Sequence, residues 1–169
     1  MNLILIGMMG CGKSTCGYLL AQRLGWTLVD TDQLIQQRDG RTIPEIFAQD
    51  GEGFFRDLES AAAMELSAQD GLVIATGGGI ILRDQNVIAL RSSGIVVWLN
   101  RSAEDIFDSE SMEGRPLAQD GKAAFLDRFA QREEKYRAAA HIIIEDFSSP
   151  QATVERILEQ LPSSFSTVR

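Results

Sequence analysis

Apolar residues are distributed along the chain in two patterns. Short runs at 2–6, 27–29, 72–75, 95–99 and 141–144 are apolar at nearly every position and predict buried strands. Between them apolar residues recur at helical spacing. Cys16, Leu19, Leu20 and Leu24 fall on one face of a helix that Gly25 ends. Val154, Ile157, Leu158 and Leu161 repeat the pattern near the C-terminus. Further helices are predicted over 31–39, 43–49, 52–68, 84–91 and 122–139, with Gly40 and Gly51 as breaks. Residues 108–121 are polar, contain Gly114, Pro116 and Gly121, and predict a mobile loop. Residues 163–169, beyond Pro162, predict a flexible tail. Strands that alternate with helices and are apolar on both faces predict an α/β fold, a parallel sheet covered by helices on each side. The span 1–162 reads as one domain. Ligands in such folds sit at the carboxyl ends of the strands. The glycine loop after the first strand, Asp30 and Asp32 after the second, and Gly77–Gly79 after the third should therefore share one edge.

Composition narrows the partners. The chain has 169 residues and a formal net charge of −8, which argues against nucleic acid or an anionic membrane as the main partner. An anion site must then be local. Lys13, Lys122 and Lys135 are the only lysines, so a lysine inside a glycine loop stands out. The two cysteines, Cys11 and Cys16, are placed too close along one helix start to pair, and reduced thiols suit a cytoplasmic protein. The opening MNLILIG has no features of a signal peptide, and no run approaches the length of a membrane span.

Gly7-Met8-Met9-Gly10-Cys11-Gly12-Lys13-Ser14-Thr15 fits the phosphate-loop pattern G-x-x-x-x-G-K-[ST]. Glycines let backbone N–H groups turn toward phosphate oxygens at a helix N-terminus. Lys13 supplies a charge for the β- and γ-phosphates, and the Ser14 hydroxyl is placed to ligate Mg²⁺. A strand before and an amphipathic helix after are the context the motif requires. Gly10, Cys11, Gly12, Lys13, Ser14 and Thr15 are the expected nucleotide contacts.

The remaining candidates each have two readings. In Asp30-Thr31-Asp32, one carboxylate can support Mg²⁺ through water and the other can accept a hydroxyl proton; alternatively an Asp here caps a helix. Gly77-Gly78-Gly79 brings backbone close to a ligand, or makes a tight turn. Arg56 is a carboxylate ligand, or half of a surface pair with Glu59 at i+3. Arg132, between Phe129 and Tyr136, faces inward and needs an anion, from the protein or from a ligand. Arg115 lies in the predicted loop, either delivered to a transferred phosphate or simply solvated. His141 reads as structural.

Taken together, GMMGCGKST, the DTD at 30–32, GEGFFR at 51–56, GGG at 77–79, RPL at 115–117 and RxxxY at 132–136 make the chain resemble shikimate kinase over nearly its whole length. The resemblance implies a three-layer αβα phosphate-loop fold with five parallel strands in the order 2-3-1-4-5. Acceptor-binding helices fall at about 31–62 and a lid at about 108–121. It implies transfer of the ATP γ-phosphoryl to the 3-hydroxyl of shikimate, in aromatic amino acid biosynthesis, by a monomeric enzyme using Mg²⁺. By position, Lys13, Asp32 and Arg115 would be catalytic. Asp32, Arg56, Gly77, Gly78, Gly79 and Arg132 would bind shikimate. Ser14, Asp30 and Asp32 would hold the metal, the carboxylates directly or through water. Arg115 and Pro150 would join the nucleotide contacts. One departure stands out: seven residues before Arg115, where the family usually has an arginine stacked on adenine, this chain has Asp108. Weaker ATP binding follows, because an acid replaces a cation–π partner. Two other readings remain, another small-molecule kinase such as a gluconate kinase, and a silent nucleotide-binding paralogue.

Overall fold

The computed structural model describes residues 1–109, 121–145 and 147–165. Five strands, β1 (Asn2–Ile6), β2 (Thr27–Asp30), β3 (Leu72–Ala75), β4 (Gly94–Leu99) and β5 (Ile142–Ile144), form one all-parallel sheet in the order β2-β3-β1-β4-β5. Leu3 pairs with Val73 on one side of β1 and with Ile95 on the other. Every residue of β1 and β3 is buried, as a central parallel strand requires. The strands at the two edges differ from expectation. β2 and most of β5 are only half-buried, because an edge strand has a neighbour on one side alone.

Among the described residues the helices are α1 (Lys13–Leu24), α2 (Thr31–Asp39), α3 (Ile43–Ser67), α4 (Asp84–Ser93), α5 (Ala103–Ser109), α6 (Gly121–Ala139) and α7 (Pro150–Gln160). α1 packs on α7 and α3 on α4. Right-handed crossovers in this strand order put α1 on the sheet face opposite to α3 and α4. The expected break at Gly51 is present as a kink inside α3, where the backbone leaves the helical region at φ 83°. Local signals fix the helix starts. Thr42 and Glu45 make a reciprocal capping box at α3, and Ser149 caps α7 with Pro150 in its first turn. The core runs between the layers through Leu3, Ile4, Leu5, Ile74, Trp98 and Tyr136. It extends further than the sequence suggests. Ser163–Phe165 form a short 3-10 turn and Phe165 packs on Trp26 with 5.4 Å between ring centroids, so the first three residues of the expected flexible tail are held by an aromatic contact. Among the described residues, no helix is long and apolar enough to cross a membrane.

Candidate active site

The sheet order sets β1 between β3 and β4, so the phosphate loop that follows β1 has the β3 loop beside it. Gly10 and Gly12 both have positive φ, 82° and 103°, a geometry that other residues rarely adopt and that turns successive N–H groups toward one side. Gly12 is the N-cap of α1, which aims the helix N-terminus at the same space. Lys13 is buried and folded back over the loop; its Nζ donates to the carbonyls of Gly7 and Met8, both at 2.8 Å. Cys11 is buried and Thr15 exposed. Both cysteines are free, and burial, then the neighbouring Cys11, pushes the Cys16 thiol up to about 11.

The helix-cap reading of the DTD segment holds for Asp30. Asp30 caps α2: its Oδ1 accepts from the backbone N–H groups of Asp32 and Gln33. Its Oδ2 accepts the Ser14 hydroxyl at 2.9 Å, tying the phosphate loop to the end of β2. Asp32 is left to face the acceptor side, with Oδ1 buried and without a hydrogen-bond partner. Burial first, then the Asp30 charge, pushes its carboxyl above the usual carboxylate range, while Lys13 and Arg56 pull the other way.

Arg56 does pair with Glu59, at 2.5 Å, but the pair is not on the surface: Glu59 is 1% exposed. Glu52 holds the other side of the guanidinium at 3.1 Å, and the Phe55 ring lies 5.3 Å from its centre. Glu59 is the main residue that sequence reasoning passed over as a functional group. Its Oε1 is also buried and unpartnered, and burial raises its carboxyl against the pull of Arg56. Nothing in local spacing distinguishes an inward from an outward i+3 pair. Thr31 was passed over too; its hydroxyl is buried and accepts from the Gly77 N–H at 2.9 Å.

The glycine run is a close-approach device. A Cβ on Gly77 would stand 2.5 Å from Asp32 Oδ1 and 3.0 Å from Glu59 Oε1. A Cβ on Gly79 would collide with the Arg56 guanidinium, and one on Gly78 would lie 3.7 Å from Arg132 Nη1. The run thus brings Asp32, Glu59, Arg56 and Arg132 around one stretch of backbone next to the phosphate loop. Two arginines beside a glycine backbone suit a small carboxylated ligand. The hard oxygens of Ser14, Asp30 and Asp32 suit Mg²⁺, although no cluster of three or more His, Cys, Asp or Glu among the described residues encloses a metal.

Not every expected site residue enters this constellation. Arg115 lies outside the described residues. Pro150 is exposed at the first turn of α7, beyond β5. Asp108, which stands where the family usually has an arginine, pairs on the surface with Lys122 at 2.8 Å. A groove of about 500 Å³ lined by Asn100, Ser102, Leu126, Phe129, Glu133 and Phe147 lies beyond β4 and β5, and neither Lys13, Asp32 nor Arg56 lines it. Charge and backbone geometry, not that groove, mark the site.

The chain matches known proteins along most of its length. The family described as Shikimate kinase matches residues 9–162. A shikimate kinase of Pseudomonas aeruginosa (strain LESB58) is 45% identical over 164 residues, covering 95% of this chain and 95% of that protein. One from Synechococcus elongatus is 44% identical over 167 residues, covering 96% of this chain and 87% of that protein. Among solved structures, shikimate kinase from Acinetobacter baumannii in complex with shikimate superposes with a TM-score of 0.88 at 36% identity, covering 94% of this chain and 90% of that one.

Proposed function

The chain belongs to the shikimate kinase family, and we propose that it transfers the γ-phosphoryl group of ATP to the 3-hydroxyl of shikimate, in the cytoplasm and as a monomer. The observation that carries this reading is the gathering of Asp32, Arg56 and Arg132 over the Gly77–Gly79 backbone beside a phosphate loop. Two guanidinium groups give the acceptor carboxylate bidentate partners, and the carboxylate of Asp32 is then left for a hydroxyl on the far side of the ring. The product would enter aromatic amino acid biosynthesis.

Catalysis in this reading is positioning plus charge neutralisation. N–H groups from Gly10 to Thr15 cradle the phosphates. Lys13 releases its hold on the Gly7 and Met8 carbonyls and turns to the β- and γ-oxygens. Asp32 orients the acceptor hydroxyl or takes its proton as the O–P bond forms and the β–γ bridging oxygen departs with ADP. Ser14, Asp30 and Asp32 would hold Mg²⁺, which would supply positive charge against the phosphates. Arg115 is assigned to the γ-phosphate, and Pro150 to the adenine end.

The position of transfer is the direct test. With ATP and shikimate, the product phosphorus should show coupling to the proton on carbon 3 in a ³¹P–¹H spectrum. Phosphate on another hydroxyl, or free phosphate alone, contradicts the reading.

A further inference from the structure

Tyr136 is fully buried, yet its hydroxyl touches two functional segments. It donates to the Gly78 carbonyl at 2.5 Å. The Met8 sulfur, in the phosphate loop, lies 3.5 Å from the same oxygen. Arg132 stands one turn back on α6, and its charge acts on the same phenol. The ring is fixed independently, stacked on Trp98 of β4 at 5.7 Å between centroids and 20° between planes. Burial, the largest influence, pushes the phenol well above its ordinary value, so it remains a donor across the working pH range. The phosphate loop and the glycine run are already in near contact at this point. A Cβ on Gly78 would stand 3.4 Å from the Met9 nitrogen and 3.6 Å from the Gly7 carbonyl.

Resting on the phosphotransfer reading above, we propose that the Tyr136 hydroxyl is a positioning residue that sets the acceptor loop against the phosphate loop and so fixes the gap between the acceptor hydroxyl and the γ-phosphorus. Core packing alone would need only the ring. Transfer is steep in that gap, because reacting atoms must be held near about 3–3.5 Å. A loop pair out of register also leaves room for water to take the phosphoryl group instead.

Tyr136→Phe keeps the ring and removes the hydroxyl. Its kcat for shikimate phosphorylation should fall about tenfold, the effect of one hydrogen bond of about 1.4 kcal/mol. Both KM values should stay within about threefold, since neither ligand loses a direct contact. ADP formed per shikimate phosphate should rise above the parent's ratio, a readout that loss of packing alone does not move. Gly78→Ala presses on the same gap from the other side and should likewise lower kcat and raise the ADP formed per shikimate phosphate. The double variant should be no worse than the weaker single, because both act on one spacing. Unchanged kcat and product ratio in Tyr136→Phe overturn the proposal. So does a loss confined to the shikimate KM, which would make Tyr136 a support for Arg132 only. If Tyr136→Phe does not fold, unchanged turnover in Gly78→Ala overturns it. A parent enzyme inactive on shikimate refutes the functional reading itself, and that result is distinct from a parent that works and a variant that works equally well.

Discussion

Asp32 keeps one carboxylate oxygen buried without a partner, and Glu59 does the same across Gly77. Such an arrangement costs folding free energy whenever the carboxyls are charged. Burial raises the Asp32 carboxyl in the folded chain, and a raised acid favours the folded state below the ordinary carboxylate value and loses that advantage as pH rises through the folded value. At neutral pH, then, Asp32 is held in the folded chain at a cost in stability, as the proposed catalytic role would explain. Asp32→Asn, without ligands or Mg²⁺, should melt higher than the parent at pH 8. Each kcal/mol relieved is worth about 2–4 °C in a chain of this size. The gap should close as pH falls below the ordinary Asp value near ~3.9. A parent that melts at or above the variant at pH 8 contradicts the assignment.

At the scale of elements, the loop after β3 does what a longer binding loop does elsewhere, with backbone alone. Gly79 makes room for the Arg56 guanidinium, the mobile end of a side chain, so a Cβ there displaces the arginine without breaking the fold. Gly79→Ala should therefore raise the shikimate KM about ten- to a hundredfold, the worth of one or two charge-assisted hydrogen bonds, and leave the ATP KM alone. An unchanged shikimate KM would separate Arg56 from the acceptor. The glycine excess was legible in the sequence as a close approach, but what approaches is the protein's own Asp32, Glu59 and Arg56. The strands and the Gly51 break were legible because burial on both faces and a glycine punctuation are local signals. The inward turn of Glu59 and the packing of Phe165 on Trp26 were not, because they depend on which surfaces meet in three dimensions. Asp30 shows the limit in another way: its helix cap was legible, but the bond from the Ser14 hydroxyl to its second carboxylate oxygen was not.

For the whole molecule, an excess of acid surrounds a site that binds anions. With a net charge of −8, the proposed function has ATP and shikimate held by local groups, among them helix and loop N–H groups, Lys13, Arg56 and Arg132. The two ends of the site meet where β1 and β3 lie side by side, and this adjacency makes a nucleotide-binding loop into a transferase with a chosen acceptor. The most direct test of that claim is acceptor-dependent ADP release, measured side by side with shikimate, with gluconate and with no acceptor. ADP should form rapidly with shikimate and only at background with the other two. Equal release in all three would mean hydrolysis by a phosphate loop with no acceptor site, and faster release with gluconate would assign the arginine cradle to a different acid.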